Sequence, residues 1–236
     1  MQSRFKHRYT MQAIIITLIL ALAGIGFAVY RLATATTYPD NNSAKIIGVL
    51  LDQSRGYVDF NQIEQEDIDF VYLRSTQGKS YFDDRYLENR DRLVVTQLDF
   101  GTAQYFSNES SVEEQFNYFR EKVGRNTGIL PVLIIPAADY HGAKFWRKMA
   151  EFTRLLKDSG DDAVVLARRT EVARYFGSQP VEFIAPTKKK PGLAQNYLFW
   201  RYTSTGRIRN MAQMDDLTML SFMGSQSDYS QLVGRN

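Results

Sequence analysis

Between Ala13 and Tyr30 the chain runs for eighteen residues without a charged side chain, and ten of them are Ile, Leu, Val or Phe. As a helix this segment spans about 27 Å at about 1.5 Å per residue, close to a hydrocarbon core of about 30 Å. Large apolar residues favour insertion by about 0.3–0.6 kcal/mol each, which sums to roughly 3–6 kcal/mol here. Arg4, Lys6 and Arg8 precede the run, so the positive-inside tendency keeps the N-terminus in the cytoplasm and sends the remainder outside. The expected organisation is a cytoplasmic basic segment (1–12), a single-pass transmembrane signal-anchor (13–30), a polar linker (31–44), a globular domain (45–224) and a C-terminal tail (225–236). Ala33-Thr34-Ala35 has the small-x-small form of a cleavage site, so secretion after cleavage near Ala35 stands as the alternative.

The 236 residues are 44% hydrophobic and 23% charged, enough for one domain with a sizeable core. Lys and Arg exceed Asp and Glu by 29 to 26, too small an excess to indicate a nucleic-acid partner. The chain contains no Cys, which excludes disulfides, thiolate metal sites and thiol nucleophiles. With His7 and His141 the only histidines, no metal or other cofactor is expected, and His141 reads as structural.

Beyond the linker, short apolar runs alternate with segments of helical period. Strands are expected at Ile46–Leu51, Phe70–Arg74, Phe100–Phe106, Val132–Ile135, Ala163–Ala167, Glu182–Ala185, Leu198–Tyr202 and Met214–Leu217. Two helices are clear. In Val112–Arg125, Val112, Phe116, Phe119 and Val123 share a face, and Ser111 with Glu114 makes a capping box. In Gly142–Lys157, Phe145, Met149, Phe152 and Leu156 align likewise. The alternation predicts an α/β fold whose mostly parallel sheet is covered on both faces, and eight strands fit a closed barrel. About 180 residues are few for a full eightfold barrel, so several helices must be small.

Several segments, in order, resemble the lysozymes of glycoside hydrolase family 25. Gly48-Val49-Leu50-Leu51-Asp52, followed by Gly56-Tyr57-Val58-Asp59-Phe60, is similar to that family's opening strand. Ile68 to Gly78 resembles its second strand, "I-D-F-V-I-I-R-A-T-E-G", and Tyr81, Asp83 and Asn89 continue the pattern. Gly101–Phe106, Leu130–Leu133, Trp200–Gly206 and Asp216-Leu217 resemble later motifs. The resemblance implies an irregular TIM-like β/α barrel of eight strands with reduced helices, acting on peptidoglycan glycan strands.

At the positions that carry the family's chemistry the residue types change. The "D-x-E" expected after the fourth strand is matched to Ile134-Ile135-Pro136, and the first-strand Asp to Leu50. The third-strand His corresponds to Gln104, the Tyr before it to Ala103, and the Glu ending the second strand to Gln77. Only Asp216 persists among the acidic positions. Glycoside hydrolysis needs one group to protonate the leaving oxygen and another to manage the cationic sugar. Loss of general acid catalysis alone removes about 10²- to 10⁴-fold. Leu50, Ile134 and Pro136 are therefore degenerate catalytic positions, with Asp52, Asp139 and Asp216 as possible substitute acids. Asp99, at the base of the third strand, would sit at the wrong end of a barrel for catalysis.

Arg74, Tyr105, Trp200 and Tyr202 are the candidate glycan-binding side chains, since aromatic faces suit sugar rings and a guanidinium suits carboxylates. Trp200 could equally be core. Lys188-Lys189-Lys190 is a cationic loop that is either solvated or directed at anionic wall polymers. Three readings follow: an inactive lysozyme-like binder of peptidoglycan, an active muramidase with relocated carboxylates, and a scaffold for a cell-envelope protein.

Overall fold

The computed structural model describes residues 3–39, 46–137, 142–177, 182–187, 189–192, 196–211 and 213–235. In β1 (Ile47–Leu51), β2 (Phe70–Gln77), β4 (Asp99–Phe106) and β5 (Val132–Pro136), side chains alternate between two apolar environments, while the two residues of β3 (Tyr81–Phe82) are half-buried. The same alternation holds for β6 (Ala163–Leu166), β7 (Glu182–Ala185), β8 (Phe199–Gly206) and β9 (Leu217–Phe222). Both faces of every long strand are buried, so the sheet closes on itself: β1 pairs with both β2 and β9, and β3 hangs on β2 as a short hairpin arm. The result is the expected eight-stranded TIM-like barrel.

The sheet is mostly parallel, as expected, and the last strand starts later than the sequence reading placed it. The sheet is parallel from β1 through β2, β4, β5, β6 and β7 to β8, but β9 runs antiparallel to both β8 and β1. The last strand also begins where it was expected to end. Met214 lies in a loop, its carbonyl accepting from Ile208 N, and Asp216 takes φ 52°. That left-handed turn ends the loop, and extended pairing starts only at Leu217.

Inside the barrel the lower half is filled by aromatic rings. Phe70, Tyr72, Phe199 and Phe222 pack edge-on or tilted, and Tyr229, on the helix Gln226–Leu232, closes the floor against Phe70 and Phe222. Gly48 and Gly101 make room for them. A Cβ at Gly48 would collide with the Phe70 ring, and one at Gly101 would lie 2.5 Å from that of Tyr72.

Outside, α1 (Ser3–Ala33) precedes the barrel, and α2 (Phe60–Glu64) and α3 (Tyr86–Leu93) are short. The main cover is α4 (Val112–Val123) and α5 (Ala143–Asp158), with α6 (Arg169–Glu171) running into a π-helical turn and α7 (Gln226–Leu232) at the floor. The Ser111 capping box forms as expected: Ser111 Oγ accepts from Glu114 N at 3.1 Å, and the Glu114 carboxylate accepts from Ser111 N at 2.9 Å. Phe119 of α4 and Phe145, Met149, Phe152 and Leu156 of α5 are buried against the outer faces of the strands.

Within α1, Met11–Tyr30 has a mean hydropathy of 2.5 and exposed side chains, the length and composition of a membrane-crossing helix or a signal sequence. The chain then turns back onto the barrel. Thr36 is buried; its hydroxyl donates to Glu66 Oε2 (3.2 Å) and accepts from Arg209 N (3.0 Å). Thr37 N donates to Arg207 O, and Tyr202 OH donates to Thr37 O at 2.8 Å.

Candidate functional site

In barrels of this type the strand C-termini form the working end. There the aromatic filling stops and a cavity of about 200 Å³ opens. Its wall is mostly aliphatic: Leu50, Leu133, Ile135, Leu166, Ile184 and Leu220, with Pro136 at the edge. The polar contribution comes from Tyr105, Arg201 and Thr218, and no carboxylate lines it among the described residues.

Strand parity explains why. Inward positions on β5 are Leu133 and Ile135, whereas Ile134 is fully buried in the outer core. The sequence reading had placed a degenerate catalytic position at Ile134. In the structure that side chain packs in the outer core, because successive strand side chains point to opposite faces. Leu50 and Pro136 do line the cavity.

The same parity removes Trp200 and Tyr202 from the site. Both are buried in the outer core, Trp200 donating through its indole N–H to Thr187 O and Tyr202 to Thr37 O. They are packing residues. The residue between them, Arg201, points into the barrel, and sequence reasoning missed it. The signal was present: a charged residue alternating with two large aromatics places the aromatics in one core and the charge on the other face.

Arg74 ends the inward row of β2 and is enclosed. Its guanidinium lies 4.4 Å from the Tyr105 ring centroid and 4.5 Å from that of Tyr81, and it donates to Gln77 Oε1 at 2.6 Å. Asp52 Oδ2 stands 3.9 Å from Arg74 Nη1. The other Asp52 oxygen caps the turn Gln53–Arg55, accepting from Ser54 N (2.9 Å) and from the Ser54 hydroxyl. Burial raises the Tyr105 and Tyr81 phenols above their ordinary value, so both are neutral donors at physiological pH. Burial also draws Arg201 downward from its ordinary value, since desolvation disfavours the cation.

Asp216 is exposed at the start of β9, beside the C-terminal end of β1, and its carbonyl accepts from Arg55 at 3.2 Å. Asp99 lies at the opposite end of the barrel, 2.7 Å from Arg235. Gln104 faces outward and is fully buried. Asp139, His141 and Lys188 fall outside the described residues; Lys189 is exposed, and its carbonyl accepts from the Thr187 hydroxyl. The structure thus brings Asp52, Arg74 and Tyr105 together, places Leu50 and Pro136 beside them, and sends Ile134, Trp200 and Tyr202 elsewhere.

The sequence profile described as "Glycosyl hydrolases family 25" matches residues 51–211. The chain belongs to this family. Among solved structures it is similar to a family 25 glycosyl hydrolase from Bacillus anthracis, with TM-score 0.68 and 19% identity over 84% of this chain and 96% of that one. The bacterial lysozyme from Streptomyces coelicolor gives TM-score 0.64 and 18% identity, over 83% and 100%. The modular autolysin LytC from Streptococcus pneumoniae, solved with a synthetic peptidoglycan ligand, gives 0.57 and 14%, over 77% and 47%. No curated protein sequence matches the chain. At these identities the structural likeness speaks to the barrel, and the family 25 chemistry has to be judged from the residues at its mouth.

Proposed function

We propose that this family 25 barrel stands on the outer side of a membrane behind a single-pass helical anchor, associates with peptidoglycan and does not hydrolyse it. The observation that carries the reading is the cavity wall. At the C-terminal mouth, where two carboxyl groups must face each other across the glycosidic bond, the described lining residues are aliphatic apart from Tyr105, Arg201 and Thr218. Neither arginine nor a neutral phenol at its raised pKa is suited to protonate a leaving oxygen. Asp52 has both oxygens engaged by the turn it caps and by Arg74. Peptidoglycan is the natural partner because the family's lysozymes share the fold and one structural neighbour holds a peptidoglycan ligand. The hydropathy and length of Met11–Tyr30 support the anchor.

The test pairs two assays on the full chain: co-sedimentation with purified sacculi, and release of reducing ends from them. Binding without release is expected. Release of reducing ends that disappears in Asp52→Asn or Asp216→Asn would instead establish a working hydrolase with relocated acids, the reading favoured by the presence of both carboxylates at the rim. Absence of both binding and release would remove peptidoglycan as the partner.

A further inference from the structure

Arg201 and Arg74 share the mouth of the barrel but differ in their company. Arg74 has Asp52, Gln77 and two tyrosine rings around it. Arg201 is half-buried on β8, lines the cavity with Tyr105, and makes no hydrogen bond or ion pair with any described residue. A half-buried guanidinium with five donors and no acceptor among the described residues has hydrogen bonds to offer a ligand in the cavity. Its planar fork matches a carboxylate in two parallel hydrogen bonds.

The rest of the cavity fixes the body of the ligand. Six aliphatic side chains surround about 200 Å³, somewhat more than the roughly 150 Å³ that accommodates benzene in an apolar protein cavity. A sugar ring placed there would set most of its hydroxyls against aliphatic side chains, with only Tyr105, Arg201 and Thr218 to bond to among the described lining residues. We propose that the mouth of this barrel is a binding site for a small monocarboxylate with a compact apolar body, its carboxylate held by Arg201 and its body seated among Leu50, Ile135, Leu166 and Ile184. Tyr105 and Thr218 offer further hydroxyls at the polar end. This site is independent of glycan association, which would involve the outer rim, so either can fail without the other.

The experiment is calorimetric titration of the full chain in lipid nanodiscs, with empty nanodiscs as the reference for partitioning. The probes are cyclohexanecarboxylate and benzoate, each against its uncharged carboxamide. The expected result is saturable 1:1 binding in which each acid is roughly 10- to 100-fold tighter than its amide, as hydrogen bonds to a charged group imply. Arg201→Met is expected to abolish that preference. Ile184→Phe, which fills the cavity and leaves Arg201 intact, is expected to abolish binding of acid and amide alike, with an unchanged circular dichroism spectrum as the check on folding. Absence of saturable binding at millimolar acid would overturn the proposal. So would acids and amides binding equally, or an unaltered acid affinity in a folded Arg201→Met protein.

Discussion

The guanidinium of Arg74 lies between two tyrosine rings, and that of Tyr105 is 4.4 Å from its carbon centre. Tyr105 also lines the cavity, together with Arg201. One phenol therefore neighbours both Arg74, which has side-chain partners around it although its Nε makes no hydrogen bond, and Arg201, which has no hydrogen bond or ion pair among the described residues. In a hydrolase this part of the barrel would carry negative charge; here Asp52 stands beside Arg74, and no carboxylate lines the cavity among the described residues.

Replacing Arg74 by Lys keeps the charge but loses the planar group that covers both rings and the bond to Gln77. Two cation–π contacts at a partly exposed position contribute about 1–2 kcal/mol together. Urea unfolding of Arg74→Lys should show a loss of that size, and Arg74→Met a loss at least as large. An unchanged midpoint in both would mean the stacking contributes nothing.

The parity of β5 gives a sharper outcome. Ile134 is fully buried between sheet and helices, whereas Ile135 faces the cavity and is 8% exposed. Ile134→Ala should cost about 2–5 kcal/mol, and Ile134→Asp should prevent folding. Ile135→Asp puts its carboxylate into a cavity that Arg201 also lines, so the protein should still fold. Soluble yield and thermal unfolding of the two Asp variants, side by side, check the assignment; equal damage from both would contradict it.

What the sequence could and could not reveal follows from such positions. Apolar runs alternating with the helical faces of Phe119 and Phe152 located the barrel, because burying both faces of a strand leaves a pattern that composition cannot hide. The direction in which each strand side chain points is a finer matter. A shift of one residue exchanges inside for outside, and Ile134-Ile135 are chemically identical, so nothing in that run reveals which faces the cavity. Trp200-Arg201-Tyr202 did carry the information, since two bulky aromatics flanking an arginine belong on one face. The floor helix lies in the segment expected to be a C-terminal tail, although Ser225 and Asp228 form a capping box at its start and Tyr229 is buried in the barrel. The antiparallel pairing of β9 depends on contacts far apart in sequence, which no local pattern encodes.

One buried carboxylate helps tie the segment after α1 to the barrel, beside the hydrogen bonds of Thr37 with Arg207 and Tyr202. Glu66 is 8% exposed, lies 3.1 Å from Arg209 Nε, and accepts from the buried Thr36 hydroxyl. Glu66→Ala leaves Thr36 without this acceptor and should cost about 1–3 kcal/mol. It should also open 34–38 to proteolysis. Limited digestion of the full chain is the measurement: the variant should be cut between Ala33 and Pro39 at protease levels that leave the parent intact.

At the opposite end from the cavity, two carboxyl groups, the half-buried Asp69 and the buried Asp99, make stability depend on pH in an unusual direction. Burial raises the pKa of Asp69 above its ordinary 3.8, with Asp67 and Asp99 adding to the effect and the Ile47 N–H opposing it. Burial likewise raises Asp99. A group that binds its proton more tightly when folded contributes stability that is full below 3.8 and lost as pH rises through its folded value. These carboxyls therefore favour the folded barrel at acid pH and oppose it near neutrality. In Asp69→Asn the side-chain carbonyl can still accept from Ile47 N, which Asp69 now does at 2.8 Å, while the ionisation is gone. The variant should be more stable than the parent at pH 7, by a margin that narrows on acidification toward pH 3.8. Chemical unfolding across that range is the check, and a margin that instead widened toward acid would show that Asp69 is stabilised as the anion.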